Sequence, residues 1–140
     1  MQLTINSEGY ALVTYGAILF FLGLLQGVVI PMVKNPRMAL SAHTDGVQSG
    51  LALMAFGVIW SLVDLSPTWL QVAYFSALFG FFGLWLGITW ASISGASKAL
   101  PMAGAGFSAG PVAELVAIIL TRVSGTLILL SAGLVVAGLL

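Results

Sequence analysis

Four long apolar runs, each separated from the next by a short polar break, constrain this chain more than any other feature. The first extends from Tyr10 to Met32 and is interrupted only by Thr14, Gln26 and glycines, before Pro31 and Pro36 end it. About 20 apolar residues suffice for a helix to cross a bilayer. Spans are therefore predicted over about 10–32, 41–63, 69–93 and 115–140. With 60% hydrophobic and only 6% charged residues, the chain lies far from the globular norm of about 25% charged. The expected fold is all-α, an integral membrane bundle of four transmembrane helices in a single domain.

The same composition excludes several functions. The net charge is zero and no basic run is long enough to hold nucleic acid. There is no cysteine, which removes disulfides, thiolate chemistry and sulfur-ligated metals. The leading residues MQLTINSEG carry an acid where a signal peptide has a basic region, so the first run reads as a span. Lys34, Arg37 and Lys98 fall in the first and third connections, Glu8 and Asp64 at the other end. The positive-inside rule places those basic connections in the cytoplasm.

Polar chemistry is concentrated around residues 34–50, which carry Lys34, Arg37, Asp45 and the single histidine, His43. The second span is read as starting at Ser41, a candidate N-cap, with His43 in its first turns. Helical spacing puts Gly46, Gly50, Leu53 and Gly57 on the stripe of His43. Such a smooth strip either admits a close helix neighbour or accepts a flat macrocycle beside its axial ligand. Asp45 is the one acid that travels with His43; the other acids lie near span ends. Gln26 near the same end can bond the next helix or a ligand.

In the third span, Phe82 and Trp85 share a face in mid-span. They are either packing residues or an aromatic wall for a substrate ring. Ser94 to Pro111 forms a long glycine- and alanine-rich connection able to cap one mouth of the bundle. Arg122 in the fourth span either snorkels to the interface or pairs with Glu114.

One histidine cannot build a protein-only transition-metal site, and no GxSxG turn or second base supports a triad. One imidazole is enough for haem, because the porphyrin supplies four nitrogens. Lys34 and Arg37 are then candidates for the haem propionates, with lipid phosphate as competitor. A structural histidine at the interface remains the alternative, as does a small transporter or assembly factor without haem.

The block Asn35, Pro36, Arg37, Met38, then Leu40, Ser41, Ala42, His43, then Gly46, Val47 and Gly50 resembles the four-span family of hydroxylaminobenzene mutase and, more distantly, styrene oxide isomerase. That resemblance implies haem b held by His43, with ferric iron as a Lewis acid on the oxygen of a small aromatic hydroxylamine or epoxide. It further implies a homotrimer with haem near subunit boundaries, in the bacterial cytoplasmic membrane. Ser49 stands where those relatives tend to carry asparagine, and Leu84 where a second asparagine is expected. Ser49 and Asp45 are the candidate catalytic side chains, Gly46, Gly50, Arg37 and Lys34 the candidate cofactor contacts beside His43, and Phe82 and Trp85 the candidate substrate contacts. A haem-binding relative without catalysis is the alternative within the family.

Overall fold

A computed structural model describes residues 4–140, so the first three residues of the acid-bearing leader lie outside the described residues. Five helices follow in order: α1 (Ser7–Val29), α2 (Pro36–Ile59), α3 (Pro67–Ser94), α4 (Pro101–Gly104) and α5 (Pro111–Leu139). Three-residue 3₁₀ turns, Ile30–Met32 and Trp60–Leu62, extend α1 and α2. Among the described residues there is no strand. With their 3₁₀ turns, α1, α2, α3 and α5 are 26, 27, 28 and 29 residues long. At 1.5 Å per residue each exceeds a hydrocarbon core of about 30 Å. The protein is an integral membrane protein.

The helices start earlier than their apolar patterns alone imply. Proline occupies the first turn of α2, α3, α4 and α5, where its missing N–H costs nothing and its fixed φ suits the helix. Pro36 therefore opens the second span, and Asn35 caps it by accepting the Met38 N–H at 3.1 Å. Ser41 is not the cap; its hydroxyl donates to the Arg37 carbonyl inside α2. His43 consequently lies two turns into the helix.

The packing consists of two intimate pairs. In the first, glycines of α1 meet glycines of α2 backbone to backbone. A Cβ built on Gly16 would lie 2.7 Å from the Gly50 carbonyl oxygen, one on Gly50 equally close to that of Gly16, and one on Gly9 2.5 Å from that of Gly57. Gly23 opposes Gly46 in the same way, 2.7 Å from its carbonyl carbon. Gly9, Gly16 and Gly23 are seven apart, nearly two full turns, so they share one stripe. In the second pair Gly80, Gly83 and Gly87 of α3 receive Ile128, Ser124 and Thr121 of α5.

A shared core of Leu53, Phe56 and Phe81 joins the pairs through α2 and α3, with Phe56 and Phe81 edge to face at 6.0 Å. The outer surface is apolar, with Phe21, Phe79 and Leu129 exposed, as lipid requires. Serines turn inward instead; Ser131 donates to the Ala73 carbonyl at 2.8 Å.

Both the α1–α2 and α3–α5 connections lie at one end. At the other, Trp60 Nε1 donates to Glu8 Oε2 at 3.0 Å, and the Asp64 N–H donates to the Gly138 carbonyl at 2.8 Å.

Replacing Gly50 by alanine should cost about 1–3 kcal/mol, because the added carbon meets backbone that cannot swing aside. Gly125→Ala, which meets nothing within 4 Å, should cost nothing measurable. Unfolding of the two variants in mixed micelles checks this; equal stability would show that the α1–α2 seam tolerates separation.

Candidate functional site

The Asn35 cap and the proline start fix where His43 leaves α2, and the glycine seam brings α1 within its reach. Its Nδ1 lies 2.7 Å from the Gly23 carbonyl oxygen. A carbonyl only accepts, so Nδ1 carries a hydrogen, and in the neutral imidazole the lone pair is then on Nε2. Gly27 makes room for the ring: a Cβ there would sit 3.1 Å from Cε1 and Nδ1. The imidazole is half-buried, on the flank of the α1–α2 seam away from α3.

Among the described residues, no group of three or more His, Cys, Asp or Glu side chains gathers to hold a metal ion. An imidazole whose tautomer is set by a backbone carbonyl could, by contrast, hold a haem iron through Nε2. His43 fits that group. Gly46 and Gly50 serve the other use of the smooth strip, since α1 fills the open face of Gly50 and α1 together with Trp85 of α3 fills that of Gly46. The glycine beside the imidazole is Gly27, which the stripe on the second span could not reveal.

Lys34 and Arg37 are occupied elsewhere. Lys34 Nζ donates to the Ser94 and Ser108 carbonyls, both at 3.0 Å. Arg37 donates to the Ala105 carbonyl, its guanidinium 5.9 Å from the Phe107 ring centre. Between them the fully buried Asn35 donates from Nδ2 to the Ala103 carbonyl at 2.9 Å, and its backbone N–H to Ser92. Glu114 closes the clasp by accepting the Ser97 and Lys98 N–H groups at 3.0–3.1 Å. These contacts fasten the 95–110 connection over one end of the bundle. They also engage the carboxylate that Arg122 was a candidate to pair.

Asp45 follows His43 by two residues and so leaves α2 about 200° away. It shares the α3-facing side with Ala42, which packs with Ile88. Ser49 donates to Asp45 Oδ1 at a long 3.4 Å, and Oδ2 is buried without a partner. Within one chain this couple and His43 occupy different sides of α2. Trp85 turns toward α1, where its Nε1 donates to Gln26 Oε1 at 2.7 Å, joined by Thr89 Oγ1 at 3.1 Å. Phe82 instead lines a hollow with Tyr15, Leu78 and Phe79. The two aromatic residues do not form one wall. Thr89 and Asn35 are the polar residues that sequence reasoning left without a role; their signal was a hydrogen-bonding side chain in or beside an apolar run.

Asn35→Ala should lose the helix cap, worth about 0.5–2 kcal/mol, and release residues 95–110. Limited proteolysis or hydrogen exchange should then report faster attack there, with the spans still protected; unchanged protection would mean that Lys34 and Glu114 hold the connection alone.

Comparison with known proteins gives a consistent result. The sequence model of styrene oxide isomerase matches residues 9–140. Hydroxylaminobenzene mutase HabA of Ectopseudomonas oleovorans is 33% identical over 102 residues, covering 72% of this chain and 76% of HabA. Hydroxylaminobenzene mutase HabB of the same organism is 36% identical over 103 residues, covering 74% of this chain and 63% of HabB. The chain thus spans less than two thirds of HabB. No solved structure matches.

Proposed function

The chain belongs to the styrene oxide isomerase family and is an isomerase, and on that premise we propose that it is a haem b-dependent membrane enzyme. Its substrate is a small aromatic hydroxylamine, converted to an aminophenol, or an aromatic epoxide, converted to an aldehyde. The observation that supports this most is the hydrogen bond between His43 Nδ1 and the Gly23 carbonyl, which would leave Nε2 available to hold the iron of such a group. When bound, ferric haem supplies a Lewis acid that draws charge from the substrate oxygen.

The rearrangements are redox-neutral. In the hydroxylamine the N–O bond and one ring C–H bond are exchanged for an aryl C–O bond and an N–H bond; in the epoxide a C–O bond breaks and a hydrogen shifts as the carbonyl forms. No external electrons are consumed.

The chain's own part is to hold and orient. The Gly23 carbonyl fixes the imidazole plane, and Gly27 leaves the space it needs. The exposed apolar side chains of α1 and α2, such as Leu24, Val28 and Leu40, would help to keep water from the positive charge that develops on the benzylic carbon of the epoxide or on the ring of the hydroxylamine. Because His43 is only half-buried, a second copy would help to enclose anything bound to it, which supports a homo-oligomer with shared sites; that it is a trimer is what the family resemblance implies. The expected setting is the bacterial cytoplasmic membrane, with the 33–35 and 95–110 connections, carrying Lys34 and Lys98, on the cytoplasmic side.

Purified protein should show a Soret band and isomerise phenylhydroxylamine or styrene oxide under air without reductant. His43→Ala should stay in the membrane but lose the band and the turnover together. Full haem occupancy in that variant would remove His43 as the ligand, and turnover dependent on a reductant would remove the redox-neutral mechanism.

A further inference from the structure

A second polar feature, Gln26, lies on α1 next to Gly27, about 100° around the helix from it, and bonds to α3. Gln26 is only 6% exposed and sits at the back of a cavity of about 240 Å³ between α1 and α3. Its amide orientation is fixed by chemistry. An indole N–H can only donate, so the atom that Trp85 Nε1 approaches at 2.7 Å must be the amide oxygen. Thr89 Oγ1 donates to the same oxygen. The amide nitrogen consequently points away from α3's donors.

That nitrogen donates to no group among the described residues, and it is not among the buried atoms sealed from the surface. Gln26 lines the cavity, so its two N–H bonds are offered there. Every other polar side chain of the lining is already committed: Thr89 to Gln26, Trp85 to Gln26, and Ser92 as donor to the Thr89 carbonyl at 2.7 Å. The remaining walls are apolar, chiefly Leu22, Leu25, Val29 and Ile93. Leu25, Val29 and Ile93 are 39–57% exposed, so the mouth opens toward lipid. An uncommitted donor pair in such a setting is costly, because no water is at hand to satisfy it.

We propose that this cavity is a lipid-side binding site for a neutral one-ring aromatic molecule bearing an acceptor oxygen, which Gln26 Nε2 engages while Trp85 and the aliphatic walls cover the ring. The volume is below the range of drug-sized pockets and suits a single ring with a short substituent. An acyl chain fills the same walls but leaves the amide hydrogens without an acceptor. The choice of an aromatic ligand draws on the substrate class proposed above. The site itself uses neither His43 nor haem, so it stands or fails separately.

The test is therefore made on both the wild-type protein and its His43→Ala variant, in micelles, with ligand-free micelles as baseline. Fluorine NMR follows the binding of a fluorinated acetophenone and of the matching fluorinated ethylbenzene, which has the ring and lacks the oxygen. In both proteins the ketone should bind saturably and at least about tenfold more tightly than the hydrocarbon, the worth of one buried hydrogen bond. Gln26→Leu should abolish that preference. Val29→Phe, which fills the cavity and leaves Gln26 and its partners intact, should weaken both ligands. Equal binding of ketone and hydrocarbon to the parent proteins, an undiminished preference in Gln26→Leu, or unchanged affinities in Val29→Phe would each overturn the assignment.

Discussion

The contact on which everything else hangs is the one between the backbones of α1 and α2. In lipid, helices gain little from hiding apolar side chains from one another, so association depends on close packing and on polar bonds between helices. The glycines at 9, 16 and 23 against those at 57, 50 and 46 provide the first, and their closeness creates the second. Only because α1 lies directly on α2 can the His43 ring reach the Gly23 carbonyl. Only because Gly46 has no side chain does Trp85 have space beside it to reach Gln26. One steric choice, repeated three times, thus orients two different polar groups, His43 against α1 and Gln26 toward α3.

Polar atoms elsewhere obey the same economy. Many gather at one end, where Lys34, Asn35, Arg37 and Glu114 satisfy carbonyl and N–H groups of the 95–110 connection, while Asp45 Oδ2 stays buried without a partner. A glycine-rich segment has no side chains with which to hold itself in place, and its backbone polar groups need partners. The residues just before α2 provide them. Asn35 has a double task, capping α2 with Oδ1 and the connection with Nδ2, which ties the start of the His43 helix to the lid over that end.

The four spans were legible because their signal is bulk hydrophobicity, which does not depend on how helices pair. Their starts lie up to about one and a half turns earlier than the apolar pattern places them, since Pro36, Pro67 and Pro111 each open a helix as its first residue. His43 was legible as the odd polar residue, and Gln26 as a helix-to-helix bond. What surrounds them was not. A stripe on one helix cannot say which neighbour fills it, so Gly46 and Gly50 were equally suited to a macrocycle or a helix until α1 was seen to occupy them. Lys34 and Arg37 looked free because their partners are backbone carbonyls some 60–74 residues away in sequence, and carbonyls leave no trace in the residue code. Trp85 and Phe82, three apart and hence assigned one face, diverge because each answers to a different neighbour.

On the proposed reading the seam that holds His43 makes it a ligand, and Gly27 tests this without touching the histidine. A side chain there must displace the imidazole from its place against α1, since even a Cβ lies 3.1 Å from the ring. Haemin titrations of wild type and Gly27→Leu, read at the Soret band with circular dichroism to confirm intact helices, measure the effect directly. Loss of at least about tenfold in haem affinity, equivalent to one hydrogen-bonded orientation of the ring, is the predicted result. Undiminished haem uptake by a folded Gly27→Leu protein would contradict it.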